Sequence, residues 1–314
     1  MLIVAIAVIK VLLITIFGWV LMKRRYMDER AFDFLNKFLV DVTSTCMIFA
    51  AIVENEKLVS GSHVSKFLFF SLLIFLIGWI AGIFIASAVR GPQAEIAGLI
   101  SFQNCGYLPL NIALFLLPPV LCREFQVYVF LYLLGFNILI WSVGSYFMFK
   151  RHQEKFDLKS FLLPPVSGTI AALLVVYLGL SRFIPEVILS PVKMVGDLTF
   201  VISAIVLGGW LAKVDLKGTY TRVVALTLAS CLRLVAVPAI FFLLVVYLKL
   251  FSLVGLFVVL IAAMPSAVTL PVIVNIKGGD TAFASQGVFI THVAAVVTIP
   301  FWLGLFLRVS HFTF

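Results

Sequence analysis

Two polar interruptions inside apolar stretches hold the residues of this chain that are able to do chemistry. One reads Asn104-Cys105-Gly106-Tyr107-Leu108-Pro109 and the other Met264-Pro265-Ser266-Ala267-Val268-Thr269-Leu270-Pro271. Proline has no backbone N–H and clashes with the preceding helical turn, so each stretch predicts a broken helix. In lipid, the freed backbone groups are tolerated only where protein or a wet cavity satisfies them. The N-terminal end of a half-helix carries partial positive charge and free N–H groups, so two breaks that meet favour an anion. Neither stretch contains a carboxylate, which argues against a cation–proton antiport site built on aspartate. Asn104, Cys105, Gly106 and Pro109 form one half of the candidate site, with a half-helix starting near Pro109. Pro265, Ser266 and Thr269 form the other. Aligning Leu108-Pro109 with Leu270-Pro271 sets Ser266 opposite Asn104. Pro265 and Pro271 both qualify as the second break, and Pro265 is preferred. The bland alternative is a pair of proline-kinked helices, with Asn104 satisfied by a neighbouring helix.

Other polar groups interrupt apolar runs. Asn137 is either a second ligand group or an interhelical hydrogen bond. Arg233 is a charge near mid-membrane, which is costly and functional by default. It contacts an anionic substrate, pairs with a carboxylate, snorkels, or binds the exposed carbonyls of a broken helix. Lys10 is a second intramembrane cation. Asp41 and Asp197 each sit near the start of an apolar span, where a carboxylate favours the helix N-terminus; coupling to protons is the competing role. His292 is either a packed imidazole or a proton-coupling group. Cys46, Cys105, Cys122 and Cys231 lack metal-ligand or redox spacing, and no metal or cofactor is expected. Metalloprotease, nucleophile-elbow and Walker motifs are missing from the sequence, which argues against an enzyme.

The elements that must position these groups are helices in a membrane. The chain has 314 residues, 63% hydrophobic and only 12% charged, about half the charge of an ordinary soluble domain. A crossing helix needs about 20 apolar residues. Apolar stretches predict ten spans: 2–22, 36–54, 66–89, 95–117, 125–149, 161–180, 193–213, 222–248, 252–276 and 284–308. The first is read as a retained span, since Lys10 interrupts it and Lys23-Arg24-Arg25 follows. Lysine and arginine concentrate in the loops after odd-numbered spans, which predicts a multi-pass cell-membrane protein with both termini extracytoplasmic. The net charge of +9 is then topological and does not imply nucleic acid. The polar link Lys150 to Lys159 divides the chain into 1–150 and 160–314. Five spans per half make the second half an inverted repeat, and the paired interruptions fall in matching spans, four and nine. Val40-Asp41-Val42-Thr43 and Gly196-Asp197-Leu198-Thr199 match weakly between the halves.

Phe102-Gln103-Asn104-Cys105-Gly106-Tyr107-Leu108-Pro109-Leu110 resembles the fourth-span motif of the auxin efflux carrier family. Ala263-Met264-Pro265-Ser266-Ala267, followed by Gly278-Gly279-Asp280 and Ala284-Ser285, resembles its ninth-span stretch. The resemblance implies an all-α fold of ten transmembrane helices in two inverted five-helix repeats. Broken helices four and nine cross, as in sodium–proton antiporter and bile-acid-carrier folds. It implies a dimerising scaffold (1–60 and 161–215) and a moving transport domain (64–150 and 220–314), hence an elevator-type secondary carrier working as a homodimer. It implies small organic anions as substrates, such as carboxylates or auxin-like acids, and carries over Asn104, Pro109, Asn137 and Pro265 as site residues. Five residues separate Asn104 from Pro109, where many members have seven, and Ser44 and Thr45 stand where many have proline. A membrane anion sensor or scaffold that does not transport is the alternative.

Overall fold

The computed structural model describes residues 2–59, 61–89, 91–143, 146 and 164–312. Among these residues the secondary structure is helical, with no strand. In order the helices are α1 (Leu2–Lys23), α2 (Glu29–Glu54), α3 (Gly61–Ala88), α4 (Gln93–Ser101), α5 (Tyr107–Leu116), α6 (Pro119–Trp141), α7 (Pro164–Tyr177) and α8 (Glu186–Ala212). They continue with α9 (Val223–Tyr247), α10 (Leu253–Ala262), α11 (Leu270–Ile276) and α12 (Thr281–Ser310). Seven of them, α1, α2, α3, α6, α8, α9 and α12, are long and apolar enough to cross a membrane. Helix ends follow local chemistry. The Asp28 carboxylate accepts the Ala31 N–H at 2.7 Å at the start of α2, and Asp280 accepts the Phe283 N–H at 2.9 Å at the start of α12. Pro119 opens α6, where a missing N–H costs nothing.

The two interrupted stretches form the helix pairs α4–α5 and α10–α11. The second predicted span begins earlier than expected, at Glu29, because its first turns are charged and escape an apolar reading. The helix α8 also starts earlier than expected, at Glu186, and contains Pro191 in its interior. Asp41 and Asp197 therefore lie in helix interiors, and the expectation that they favour a helix N-terminus is overturned. The link 150–159, the tail of the fifth predicted span and residues 161–163 lie outside the described residues.

Three helices carry one π turn each: Leu39–Thr43 in α2, Leu139–Val143 at the end of α6 and running past it, and Leu232–Ala236 in α9. A π turn displaces the carbonyl ladder and often marks a functional site. In α2 the displaced carbonyls are taken up by hydroxyls. Leu39 O accepts from Thr43 at 3.2 Å and from Ser44 at 2.7 Å, and Val40 O accepts from Thr45 at 3.4 Å.

Packing falls into two groups. The helix α1 lies along α8, and α2 packs on α7 and α8; α3 packs on α4 and α6, and α10 and α12 pack on α9. The helices α5 and α12 also reach α1. Small residues make the closest approaches, as expected where lipid supplies no hydrophobic drive between helices. A Cβ on Gly208 would fall on the Thr15 carbonyl oxygen of α1, and one on Gly18 would fall on the Ile205 backbone of α8. Gly208→Leu is therefore expected to separate α1 from α8 and to destabilise the fold by about 1–3 kcal/mol. A lowered melting temperature in detergent checks it; an unchanged one refutes this packing.

Candidate functional site

The two breaks meet. Residues 102–106 and 263–269 leave the helix and pair as an antiparallel bridge, Gln103 with Ser266. The Asn104 N–H donates to the Pro265 carbonyl at 2.8 Å, and the Ala267 N–H to the Phe102 carbonyl at 2.8 Å. Backbone groups freed by one break are thus satisfied by the other, as membrane depth requires. Pro265 lies inside the extended segment. Pro109 and Pro271 instead occupy the first turns of α5 and α11, where the N–H has no helical partner anyway. The half-helix starts at Tyr107, two residues before the expected position.

Four helix ends converge on this bridge. The C-terminal ends of α4 and α10 bring negative carbonyl ends, and Arg233 answers both. It is fully buried. Its Nε donates to Met264 O at 2.9 Å, Nη1 to Ile100 O at 3.0 Å and Nη2 to Ala262 O at 2.5 Å. Of the roles open to Arg233, binding the carbonyls of a broken helix is the one the structure realises.

The N-terminal ends of α5 and α11 face a cavity of about 290 Å³. The bridge supplies Asn104, Cys105 and Gly106, and the start of α11 supplies Thr269. Asn137 lines it from α6, Ser44 from α2, and Thr199 and Ser203 from α8. Asn36, Gln103 and Tyr107 add polar groups, and the rest of the wall is apolar and aromatic, including Phe130, Phe136, Trp141 and Trp210. Among the lining residues there is no Lys, Arg, His, Asp or Glu. Two polar atoms of lining residues, Gln103 Oε1 and Thr199 Oγ1, are buried with no hydrogen-bond partner among the described residues.

The structure distributes the other expected residues unevenly. Ser266 is fully buried and its hydroxyl donates to Leu99 O at 2.6 Å, so it braces the bridge and does not line the cavity. It stands opposite Gln103, one residue away from the expected partner, because the two breaks pair as antiparallel backbone and the Leu-Pro register does not set them. Pro109 and Pro265 shape the backbone and are not in the cavity wall. Lys10 is exposed on α1, its Nζ 5.3 Å from the centre of the Phe115 ring. Asp41 is half-buried in the α2 π turn. Asp197 lines a separate cavity of about 400 Å³ with Arg123, Lys193 and Glu54; Lys193 and Glu54 are paired at 2.7 Å. A third cavity, about 410 Å³, adjoins the first through Trp210, Val268 and Val272 and contains Lys213. The three follow one another along α8.

His292 of α12 meets Asn104. Its Nε2 is 3.1 Å from Asn104 Nδ2 and its Nδ1 is 2.8 Å from the Val288 carbonyl. Several site residues escaped the sequence. Gln103 donates its amide N–H to the Tyr132 hydroxyl. The Tyr107 and Ser44 hydroxyls are 3.1 Å apart. Ser44 has one proton, which faces Leu39 O at 2.7 Å, so Tyr107 donates. Asn111 donates to Ser203 at 2.9 Å. The two contacts tie α5 to α2 and α8. The one available signal was the recurrence of polar residues at 103, 104, 107 and 111 within a single apolar span.

A family model described as "Membrane transport protein" matches residues 3–303. A search of curated proteins finds no match.

Proposed function

This chain belongs to the membrane transport protein family, that of the auxin efflux carriers, and from that premise we propose that it is a secondary carrier of small organic monocarboxylates. It is a multi-pass membrane protein. The observation that carries the substrate class is the cavity wall: two half-helix N-termini, neutral hydrogen-bonding groups, aromatic and apolar surface, and no cationic side chain. A helix N-terminus offers a partial charge of about +0.5, which suits one carboxylate and leaves a second poorly matched. Arg233 is committed to three carbonyls and does not reach the ligand. The apolar wall suits a substrate with an apolar body, and a volume near the lower bound of ligand pockets suits a small one.

In this reading α4–α5 and α10–α11 each count as one span, giving ten spans in two inverted five-helix repeats. The helices α1, α2, α7 and α8 form the scaffold, through which the protein dimerises, and the remainder is the transport domain that moves as an elevator. The packing groups support that division, and the cavity between them supports a substrate carried at their interface. Both termini are extracytoplasmic, by the loop charges.

The test is flux into proteoliposomes. Labelled benzoate and indole-3-acetate are expected to show saturable uptake, with malonate and succinate at least tenfold slower. Faster dicarboxylate flux would refute the substrate class. Binding with no flux under any gradient would make the protein an anion sensor.

A further inference from the structure

We propose that His292 is the proton site of this carrier, and that its protonation turns the Asn104 amide from an acceptor into a donor toward the cavity, so that one proton and one carboxylate bind together. The inference rests on the reading of the cavity as the substrate site.

The hydrogen-bond inventory makes the argument. The Val288 carbonyl only accepts, so His292 Nδ1 carries a hydrogen. A neutral ring then has a lone pair at Nε2, and the group 3.1 Å away must be the NH2 of Asn104. The tautomer thus fixes which end of the amide faces the ring. The amide oxygen is left without a protein partner among the described residues, on a side chain that is nine-tenths buried and lines the cavity. An amide oxygen repels a carboxylate. In this state the site favours an empty or hydrated cavity.

Adding a proton reverses the geometry. Both ring nitrogens then donate. The Asn104 NH2 no longer has an acceptor at Nε2, and half a turn about its Cβ–Cγ bond brings its oxygen there. The same turn presents the NH2 to the cavity, where a carboxylate oxygen accepts from it. The proton comes from solvent, stays on Nε2 and leaves with the anion.

Charge neutrality favours the pairing. A buried imidazolium is costly unless a counter-charge accompanies it, and the one carboxylate on the helices packed against α12, Glu95, lies at the Asp280 end of that helix, about three turns from His292. Lys10 on α1 lies over the Phe115 ring, and Lys23 of the same helix lies 5.9 Å from the centre of the Trp19 ring. Glu95 on α4 accepts the Asp280 N–H at 2.6 Å, and Arg222, just before α9, pairs with Asp280 at 3.0 Å. Arg233, Cys231 and Tyr247 are the titratable groups of α9; the first is held by carbonyls and the other two are exposed. The helices α10 and α11 carry no titratable side chain. The substrate carboxylate is therefore the counter-ion, and neither charge enters easily alone. Linkage makes the effect reciprocal: the anion raises proton affinity by the factor by which the proton raises anion affinity.

The experiment measures indole-3-acetate binding to the purified full-length carrier in detergent between about pH 6 and 8, a window in which an imidazole titrates. Proton uptake on binding is recorded in lightly buffered solution. Affinity is expected to tighten as pH falls, approaching tenfold per unit, with one proton taken up per anion. In His292→Gln, whose amide offers either end to Asn104 at every pH, the slope and the proton uptake should vanish. Binding that is lost in Asn104→Ala but takes up no proton in the wild type overturns the coupling and leaves the substrate site standing. A pH slope retained by His292→Gln overturns it as well. No saturable binding, or binding unchanged in Asn104→Ala, sinks the site reading and the coupling together. The proton count in the wild type decides the matter even if His292→Gln fails to fold.

Discussion

Arg233→Ala should abolish ligand binding and transport together and should lower the melting temperature sharply. The guanidinium is fully buried and donates to Ile100 O, Ala262 O and Met264 O. Removing it strands three carbonyls at the C-terminal ends of α4 and α10, inside a protein at membrane depth. Each buried unsatisfied group costs about 1–3 kcal/mol, and two of these carbonyls also concentrate helix-end charge. A total loss of about 3–5 kcal/mol is expected, comparable with deleting one partner of a buried ion pair. Arg233→Lys should recover only part of it, because an ammonium cannot reach three carbonyls with one planar fork. The decisive readout is the joint loss of stability and binding. Arg233→Ala that keeps its melting temperature and loses only affinity would show that the arginine touches substrate, against the geometry found here.

Asn104→Ala should do the opposite, removing transport while the fold survives. The bridge at Asn104 is made by its backbone N–H to Pro265 O, which alanine retains. The side chain contributes one hydrogen bond, to His292, so stability should fall by about 1 kcal/mol. At the cavity the same amide is the polar group of the break best placed for a carboxylate. A hydrogen bond to a charged ligand is worth about 1.5–3 kcal/mol, so kcat/KM for monocarboxylate flux should fall roughly 10- to 100-fold. Flux in proteoliposomes, paired with a melting curve, checks both halves of the statement. Unchanged flux would refute this site.

The contrast between these variants reflects how the crossing is built. Arg233 secures the carbonyl ends that point toward the bridge, and the N-terminal ends of α5 and α11 are left to the ligand. A helix has opposite charge at its two ends, so breaking two helices at one point creates both needs at once. One buried cation answers the first need on the protein's own account.

Much of this was legible in the residues. The apolar runs, the paired prolines and the isolated polar groups within them are local signals, because a backbone in lipid must satisfy itself within its own segment. They located the membrane helices, the two breaks, and Asn104, Asn137 and Thr269 on what became the cavity wall. The helix start at Glu29 was missed because charged first turns do not register as apolar, and the one at Glu186 because α8 runs through Pro191, a residue that reads as a boundary. The distinction between Asn104 on the cavity wall and Ser266 behind it depends on the register of an antiparallel bridge joining residues far apart in sequence. The meeting of Arg233 with three carbonyls, of His292 with Asn104, and of Tyr107 and Asn111 with α2 and α8 is a matter of which helices become neighbours and which faces they turn inward. By itself, then, the sequence determined that the chain crosses a membrane and that two of its apolar stretches break, since proline and hydropathy act within a few residues. Only the tertiary structure decided which polar groups sustain the break and which remain for a ligand, since a hydrogen bond forms only where packing brings donor to acceptor.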